Sequence, residues 1–365
     1  TARHAFAYIF AGEGTFGHAS APRGVPTEGA DGTVAVAPAL ADSGYRTIII
    51  DGDVRRGALA DIFAPCDQTP GLIDYLGAGG ASIVGFATPF VLDAVRKVLQ
   101  GGVPEGFHVP HEVELAGSLS QFLPWAGSFW FCRSQDEAFR SVLHWARENT
   151  GHRRFLVLDG GAPLRVGAPA ELAIEPSNPI REVRAWDVPK ITAAVTGSSA
   201  KLAGLIVDPL LGRYGVVPPP AGALAEIAAA CREAGVLLIM DERVAGFRVH
   251  RGGYSGLAGI TPDVAVYGAA LGGGFPIGAV AFRQAEAEQP NSGIVATPHP
   301  VSLAAADSIL SILKNVSVYE RLEERAEQLA AGLLGLAGRS GRPLAVNRVG
   351  SVLALYFSDH QVVDR

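Results

Sequence analysis

Leu202–Arg248 reads LAGLIVDPLLGRYGVVPPPAGALAEIAAACREAGVLLIMDERVAGFR, and Thr261–Arg283 continues as TPDVAVYGAALGGGFPIGAVAFR. Leu202–Asp208, Val236–Asp241 and Val264–Tyr267 are short apolar runs without polar alternation, the pattern of strands buried on both faces. Ala221–Ala234, between the first two, carries its apolar residues at helical spacing. Strand, helix and strand in that order make a βαβ unit, and such units build a mostly parallel sheet flanked by helices.

The same alternation extends on both sides. Tyr45–Gly52 (YRTIIIDG) and Phe155–Leu158 repeat the strand pattern. Pro89–Gln100, Glu112–Phe122, Glu137–Asn149 and Val301–Lys314 repeat the helical one. The expected class is therefore α/β. A last helix is predicted to open at Ser317, with Glu320 at capping-box spacing. Its Leu322, Ala326, Leu329, Leu333 and Leu336 form one apolar stripe, expected to face a core. Val264–Phe282 is uncharged for nineteen residues, long enough for a membrane span. Gly268, Gly272, Gly273, Gly274, Pro276 and Gly278 would cripple a lone helix there, so strand, glycine turn and strand is the expected reading, with no membrane partner.

Composition sets the remaining bounds. The chain has 365 residues, 48% of them hydrophobic, and a mean hydropathy of +0.24, ample for a buried core. Thirty basic residues against 36 acidic give a net charge of −6, which offers no field for a nucleic-acid backbone. Cys66, Cys132 and Cys231 are odd in number and far apart, so no disulfide framework is expected and a reducing, cytoplasmic setting is the default. The opening residues carry no basic-then-apolar leader, and a secretory signal is not expected. His108 and His111 have a metal-like spacing, but Pro110 lies between them and no further ligand cluster accompanies them, so no metal site is expected.

The ordered motifs resemble the class III aminotransferases of the pyridoxal-phosphate (PLP) superfamily, in particular glutamate-1-semialdehyde aminomutases. Besides the two stretches above, DYLGAGGASIVGFATPFVLDAV (Asp74–Val95), HEVELAGSLSQFLPWAGSFWF (His111–Phe131) and GSVLALYFSD (Gly350–Asp359) carry the resemblance. It implies a fold-type I aminotransferase architecture: an N-terminal segment 1–72, a large domain 73–315, and a linking helix with the start of an incomplete small domain in 316–365. It also implies a dimer, formed with a second copy or with an aminotransferase paralogue.

Such an enzyme needs a Schiff-base lysine, an acid for the pyridine nitrogen, a phosphate cup and a ring-stacking platform. By the resemblance, Asp241 matches the acid that pairs with the pyridinium. The lysine position, in Gly268-Ala269-Ala270-Leu271-Gly272-Gly273-Gly274, is Ala269. A methyl group forms no imine and moves no proton. The four lysines, Lys97, Lys190, Lys201 and Lys314, all fall away from the carboxyl ends of the predicted strands. The cup reads Arg133-Ser134-Gln135-Asp136-Glu137, in which Gln135 stands for a glycine and Asp136 puts a negative charge where a dianion would sit. Asp136 is expected to cap the helix itself. The stacking pair is replaced by Ala162-Pro163 after Gly160-Gly161. Thr297 matches a threonine that reaches the phosphate from the neighbouring subunit.

Thr33–Leu76 resembles bacterial tyrosine kinases and ParA-type ATPases of polysaccharide export, with Asp51, Asp53, Arg55 and Arg56 as the acidic and basic members. The lysine of a P-loop is missing, so Tyr45–Gly52 is expected to be an extra strand and Val54–Phe63 a helix, without catalysis.

The leading expectation is a PLP-independent biosynthetic enzyme acting on a small polar metabolite, with no cofactor. Asp241, His299, Arg133 and Asp136 are its candidate groups, and Asp241, Thr297 and Ser134 mark the ancestral cofactor positions. The other readings are a non-catalytic subunit paired with an active aminotransferase, a PLP-dependent aminotransferase or aminomutase whose lysine was substituted, and a scaffold for polysaccharide assembly.

Overall fold

The computed structural model describes residues 3–8, 45–50, 81–85, 88–103, 109–158, 180–198, 202–211, 215–285, 287, 297–341 and 343–360. The chain divides into two compact units, Thr1–Gly80 and Ala81–Arg365. In the first, β1 (Arg3–Tyr8) and β2 (Tyr45–Ile50) pair in parallel, with Arg3 opposite Tyr45 and Tyr8 opposite Ile50. The expected helix Val54–Phe63, the Asp51–Arg56 run and Cys66 lie outside the described residues.

The second unit is built on a seven-stranded sheet. Its strands are β3 (Ser128–Cys132), β4 (Arg154–Leu158), β5 (Ile180–Val183), β6 (Leu202–Val207), β7 (Leu237–Asp241), β8 (Val264–Tyr267) and β9 (Gly278–Phe282), in the spatial order β3-β9-β8-β7-β6-β4-β5. β9 runs antiparallel to both β3 and β8, and the other pairings are parallel. The reversal into β9 is made by the 3₁₀ turn Ala269–Gly272 and by Gly273 and Gly274, whose φ values of 56° and 102° suit glycine. The uncharged run Val264–Phe282 is thus strand, turn and strand. Among the described residues no single helix is long and apolar enough to cross a membrane.

Helices cover both faces, because the strand runs are apolar on both. On one face lies α3 (Gln135–Thr150), whose Phe139, Val142, Leu143 and Trp145 pack with Ile206, Ile239, Val264, Val266, Val280 and Phe282. Phe282 sits between Trp130 and Trp145, with ring centroids 4.2 and 4.7 Å away. The larger core on the opposite face includes residues of α1 (Pro89–Gly101), α2 (Pro110–Ser120), α4 (Val188–Ser198), α5 (Ala223–Ala234) and α7 (Pro300–Leu313). The short helix α6 (Gly253–Ala258) follows β7. α7 is buried along most of its length and packs on α1, α2 and the 3₁₀ turn.

The last helix, α8 (Val316–Ser340), departs from expectation at two points. Its N-cap is Asn315, whose Oδ1 accepts from the Ser317 N–H at 3.1 Å, so the Ser317–Glu320 capping box is not the start. Of the expected stripe, Ala326 is buried, but Leu329 and Leu336 are 51% and 56% exposed. Leu322 and Ala326 of the stripe pack against the core together with Val318 and Ala330, so the expected face is covered toward the start of the helix and left open at Leu329 and Leu336. β10 (Ala345–Val349) and β11 (Val352–Tyr356) then form an antiparallel hairpin, with Arg348 ion-paired to Glu323 and Glu327 of α8.

Candidate functional site

In sheets of this kind ligands gather at the carboxyl ends of parallel strands. There β6 runs into Asp208, β7 ends on Asp241, β8 leads into Gly268-Ala269, and β3 leads through Arg133 and Ser134 into α3. The start of α3 is fixed locally. Ser134 has an extended backbone (φ −152°, ψ 159°), and its Oγ accepts from the Glu137 N–H at 3.1 Å. The Glu137 carboxylate reaches back to the Arg133 N–H at 2.9 Å. Ser134 therefore caps α3 where Asp136 was expected to. Asp136 lies in the first turn, favoured there by the helix dipole, and turns its carboxylate toward β7.

Asp241 and Arg243 form the centre of the site. Oδ1 of Asp241 accepts from Arg243 Nε at 2.7 Å, and Oδ2 accepts from Nη2 at 2.7 Å. The two side chains are 4% and 3% exposed. Nη1 of Arg243 donates to Asp136 Oδ1 at 2.9 Å, and the guanidinium lies over the Phe139 ring, 4.3 Å from its centroid. Burial works against this guanidinium charge. The nearby carboxylates of Asp241, Asp136 and Asp208 outweigh that effect and hold its pKa above the ordinary arginine value. Planar geometry suits the fork, and two charge-assisted bonds to one carboxylate are the strong form of such pairs.

Glu242 faces the other way. Oε1 accepts from the Ser255 N–H at 2.7 Å and the Ser255 Oγ at 2.8 Å, and Oε2 accepts from the Tyr254 N–H at 2.9 Å. Complete burial raises its pKa; these hydrogen bonds oppose the shift without cancelling it. Gln135 fills the angle beside the 3₁₀ turn. A Cβ on Gly268 would stand 2.4 Å from Gln135 Cβ, so that glycine is required by the close approach of α3.

The other candidate groups lie outside this pairing. His299, a candidate group by sequence, is the N-cap of α7, and its Nδ1 accepts from the Val301 N–H at 3.3 Å. Arg133 is 61% exposed at its side chain, with Nε 3.8 Å from Glu137. Thr297 is half-buried just ahead of α7. Gly160–Pro163 lie outside the described residues. Lys190 pairs with Asp187 at the surface, and Lys97 and Lys314 belong to α1 and the end of α7. Lys201 is outside the described residues. Among the described residues, no three His, Cys, Asp or Glu side chains come together as a metal cluster.

Neither Arg243 nor Asp208 is among the candidate groups that the sequence singles out. The signal available for Arg243 was its place two residues beyond an aspartate that closes a buried strand, since a buried carboxylate needs a partner.

These residues do not fit PLP held as the resemblance implies. Ala269 offers no amine, and Asp241 has both oxygens engaged by Arg243.

Comparison with known proteins places the chain. The aminotransferase class-III family model matches residues 171–364. The glutamate-1-semialdehyde 2,1-aminomutase of Thermomicrobium roseum is similar, at 33% identity over 350 residues, covering 90% of this chain and 78% of the relative. Among solved structures, an omega-transaminase from Sphaerobacter thermophilus is similar at TM-score 0.69 and 25% identity, covering 80% of this chain and 73% of that one. A lysine-to-alanine variant of a glutamate-1-semialdehyde aminomutase from Pseudomonas aeruginosa, solved in complex with PMP, shares the fold at TM-score 0.67 and 22% identity, covering 79% and 70%.

Proposed function

The chain belongs to the aminotransferase class-III family, and we propose that it keeps that fold without Schiff-base chemistry, as a non-catalytic subunit whose cleft takes a small polar ligand. The observation that carries this reading is the pairing at the strand ends: alanine at the position of the reacting amine, and an arginine on the acid that would serve the cofactor. An imine needs a primary amine on the protein, and no other residue type at that position supplies one.

The geometry favours a non-catalytic role over a PLP-independent enzyme. A general acid or base must be able to reach its substrate and change protonation state. Asp241 has both oxygens on Arg243 and is almost wholly shielded from solvent, so it does not reach a substrate, and the Nδ1 of His299 accepts from the first turn of α7. The proposed partner is a lysine-bearing paralogue, or a second copy where the subunit serves binding alone.

Titration of the purified chain with PLP, followed by borohydride reduction and peptide mass mapping, tests the reading. The expected result is no saturable absorbance change and no reduced adduct. An adduct on any of the four lysines overturns it. Co-purification from the native source with a lysine-bearing class-III chain is the expected sign of the paired form.

A further inference from the structure

Loss of the lysine removes a covalent bond but leaves open whether the cleft still accepts the cofactor's ring. The lysine-to-alanine aminomutase variant solved with PMP has the ring compound and the alanine together in that protein. In the present chain a second change stands beside Ala269. The Arg243 guanidinium is a planar cation whose Cζ lies over the Phe139 ring, 4.3 Å from its centroid, and it donates through Nε and Nη2 to the two oxygens of Asp241 at 2.7 Å. Its remaining Nη1 donates to Asp136 in the first turn of α3. One side chain thus spans from the acid at the end of β7 to the helix start that the resemblance assigns to the phosphate. A planar cation with N–H groups is what a protonated ring nitrogen would present to the same carboxylate. With both partners almost wholly shielded from solvent, nothing in the cleft reaches Asp241 unless Arg243 leaves.

We propose that Arg243 is the specificity-determining residue of this cleft, an internal counter-ion that excludes planar cationic ring ligands, pyridoxamine phosphate among them, by holding Asp241 itself. The inference deepens the functional reading above and rests on it in one respect, that Asp241 stands at the ring-nitrogen position. Gln135 packed against Gly268 narrows the same region from the side of α3.

The test uses the full chain and pyridoxamine phosphate, an amine that forms no imine with a lysine, so its binding is independent of the borohydride result. Fluorescence titration and thermal shift are followed in the wild type and in Arg243→Ala. The wild type is expected to give no saturable signal. Arg243→Ala is expected to bind at least about tenfold more tightly than any wild-type signal allows, with guanidinium ion at non-denaturing concentration competing for the vacated position. Binding to the wild type within tenfold of the variant, or binding to neither, overturns the inference. Either result leaves the non-catalytic reading standing, because that reading falls only to a lysine adduct with PLP. Since Arg243→Ala strips a buried acid of its partner and can fail to fold, Ala269→Lys with Arg243 intact provides the second arm. PLP followed by borohydride is expected to leave the introduced lysine unmodified, and a reduced adduct there overturns the proposal.

Discussion

Replacing Asp241 by asparagine conserves the shape of the side chain and removes one negative charge from beneath a buried guanidinium. Arg243 is 3% exposed and Asp241 4%, so neither charge is solvated by bulk water. The amide can accept from one arm of the fork, but its NH₂ then faces the other arm, donor against donor. Asp136 remains 2.9 Å from Nη1, yet its side chain is 66% exposed, and pairs screened to that degree contribute only about 0–1 kcal/mol. Removing one member of a buried pair costs about 3–5 kcal/mol, and the remaining contact offsets little of it, so Asp241→Asn is expected to lose about 3 kcal/mol or more. Replacing the whole pair, as in Asp241→Leu with Arg243→Met, leaves no orphaned charge and is expected to fall within about 1–2 kcal/mol of the wild type. Urea unfolding followed by tryptophan fluorescence reports on this directly, since Trp130 of β3 and Trp145 of α3 lie in one buried core. A double-mutant cycle over the two positions then isolates the coupling. A loss below about 1 kcal/mol for Asp241→Asn, or a double variant less stable than the single one, would refute the picture of Arg243 as a buried charge that depends on Asp241.

Four further outcomes are expected. Burial pushes the Cys132 and Cys231 thiols up to about 12, so neither should react with a thiol-specific reagent at neutral pH in the native state; labelling of either peptide before unfolding would count against the core as described. Burial raises the folded pKa of Glu242 above its unfolded value, so its contribution to stability is fully present below that unfolded value, about 4.3, and is lost as pH rises through the folded one. The wild-type-minus-Glu242→Gln stability difference should therefore fall from pH 4 upward, and a flat or rising difference contradicts the assignment. Phe282→Ala empties the space between Trp130 and Trp145 and is expected to cost about 3–5 kcal/mol in denaturant unfolding. Ser134→Ala removes the α3 cap and should cost about 1 kcal/mol, whereas no measurable loss would return the capping role to Asp136.

Much of the fold follows from local pattern. Val264–Tyr267 is a strand with the bounds its apolar run marks, and Leu202–Asp208 and Val236–Asp241 are one residue longer in the sequence reading than β6 and β7. A run of apolar residues without alternation has no exposed face in a sheet, so it needs helices on both sides. Alanine at position 269 and glutamine at 135 were likewise legible, because a missing amine or an added side chain is a property of the residue itself. β5 and α4 carried weaker signals and were not singled out.

The remaining decisions are tertiary. Ser134 and Asp136 are both N-capping residue types, and only the backbone angles at Ser134 decide between them. The apolar stripe of α8 is periodic enough to predict a packing face, but how far along the helix that face is covered depends on the surface it meets: Leu322 and Ala326 pack, whereas Leu329 and Leu336 stand exposed. His299 is a candidate group by residue type, and only the structure shows it as the N-cap of α7, with its Nδ1 accepting from the first turn. Arg243 is the clearest case. Its distance from Asp241 in sequence is two residues and from Asp136 it is 107, and nothing in local pattern tells a long cationic side chain whether to point to water or to fold back. That direction is set by the enclosure that α3 and the strand ends create together, where a guanidinium without its carboxylates would be too poorly solvated to stay.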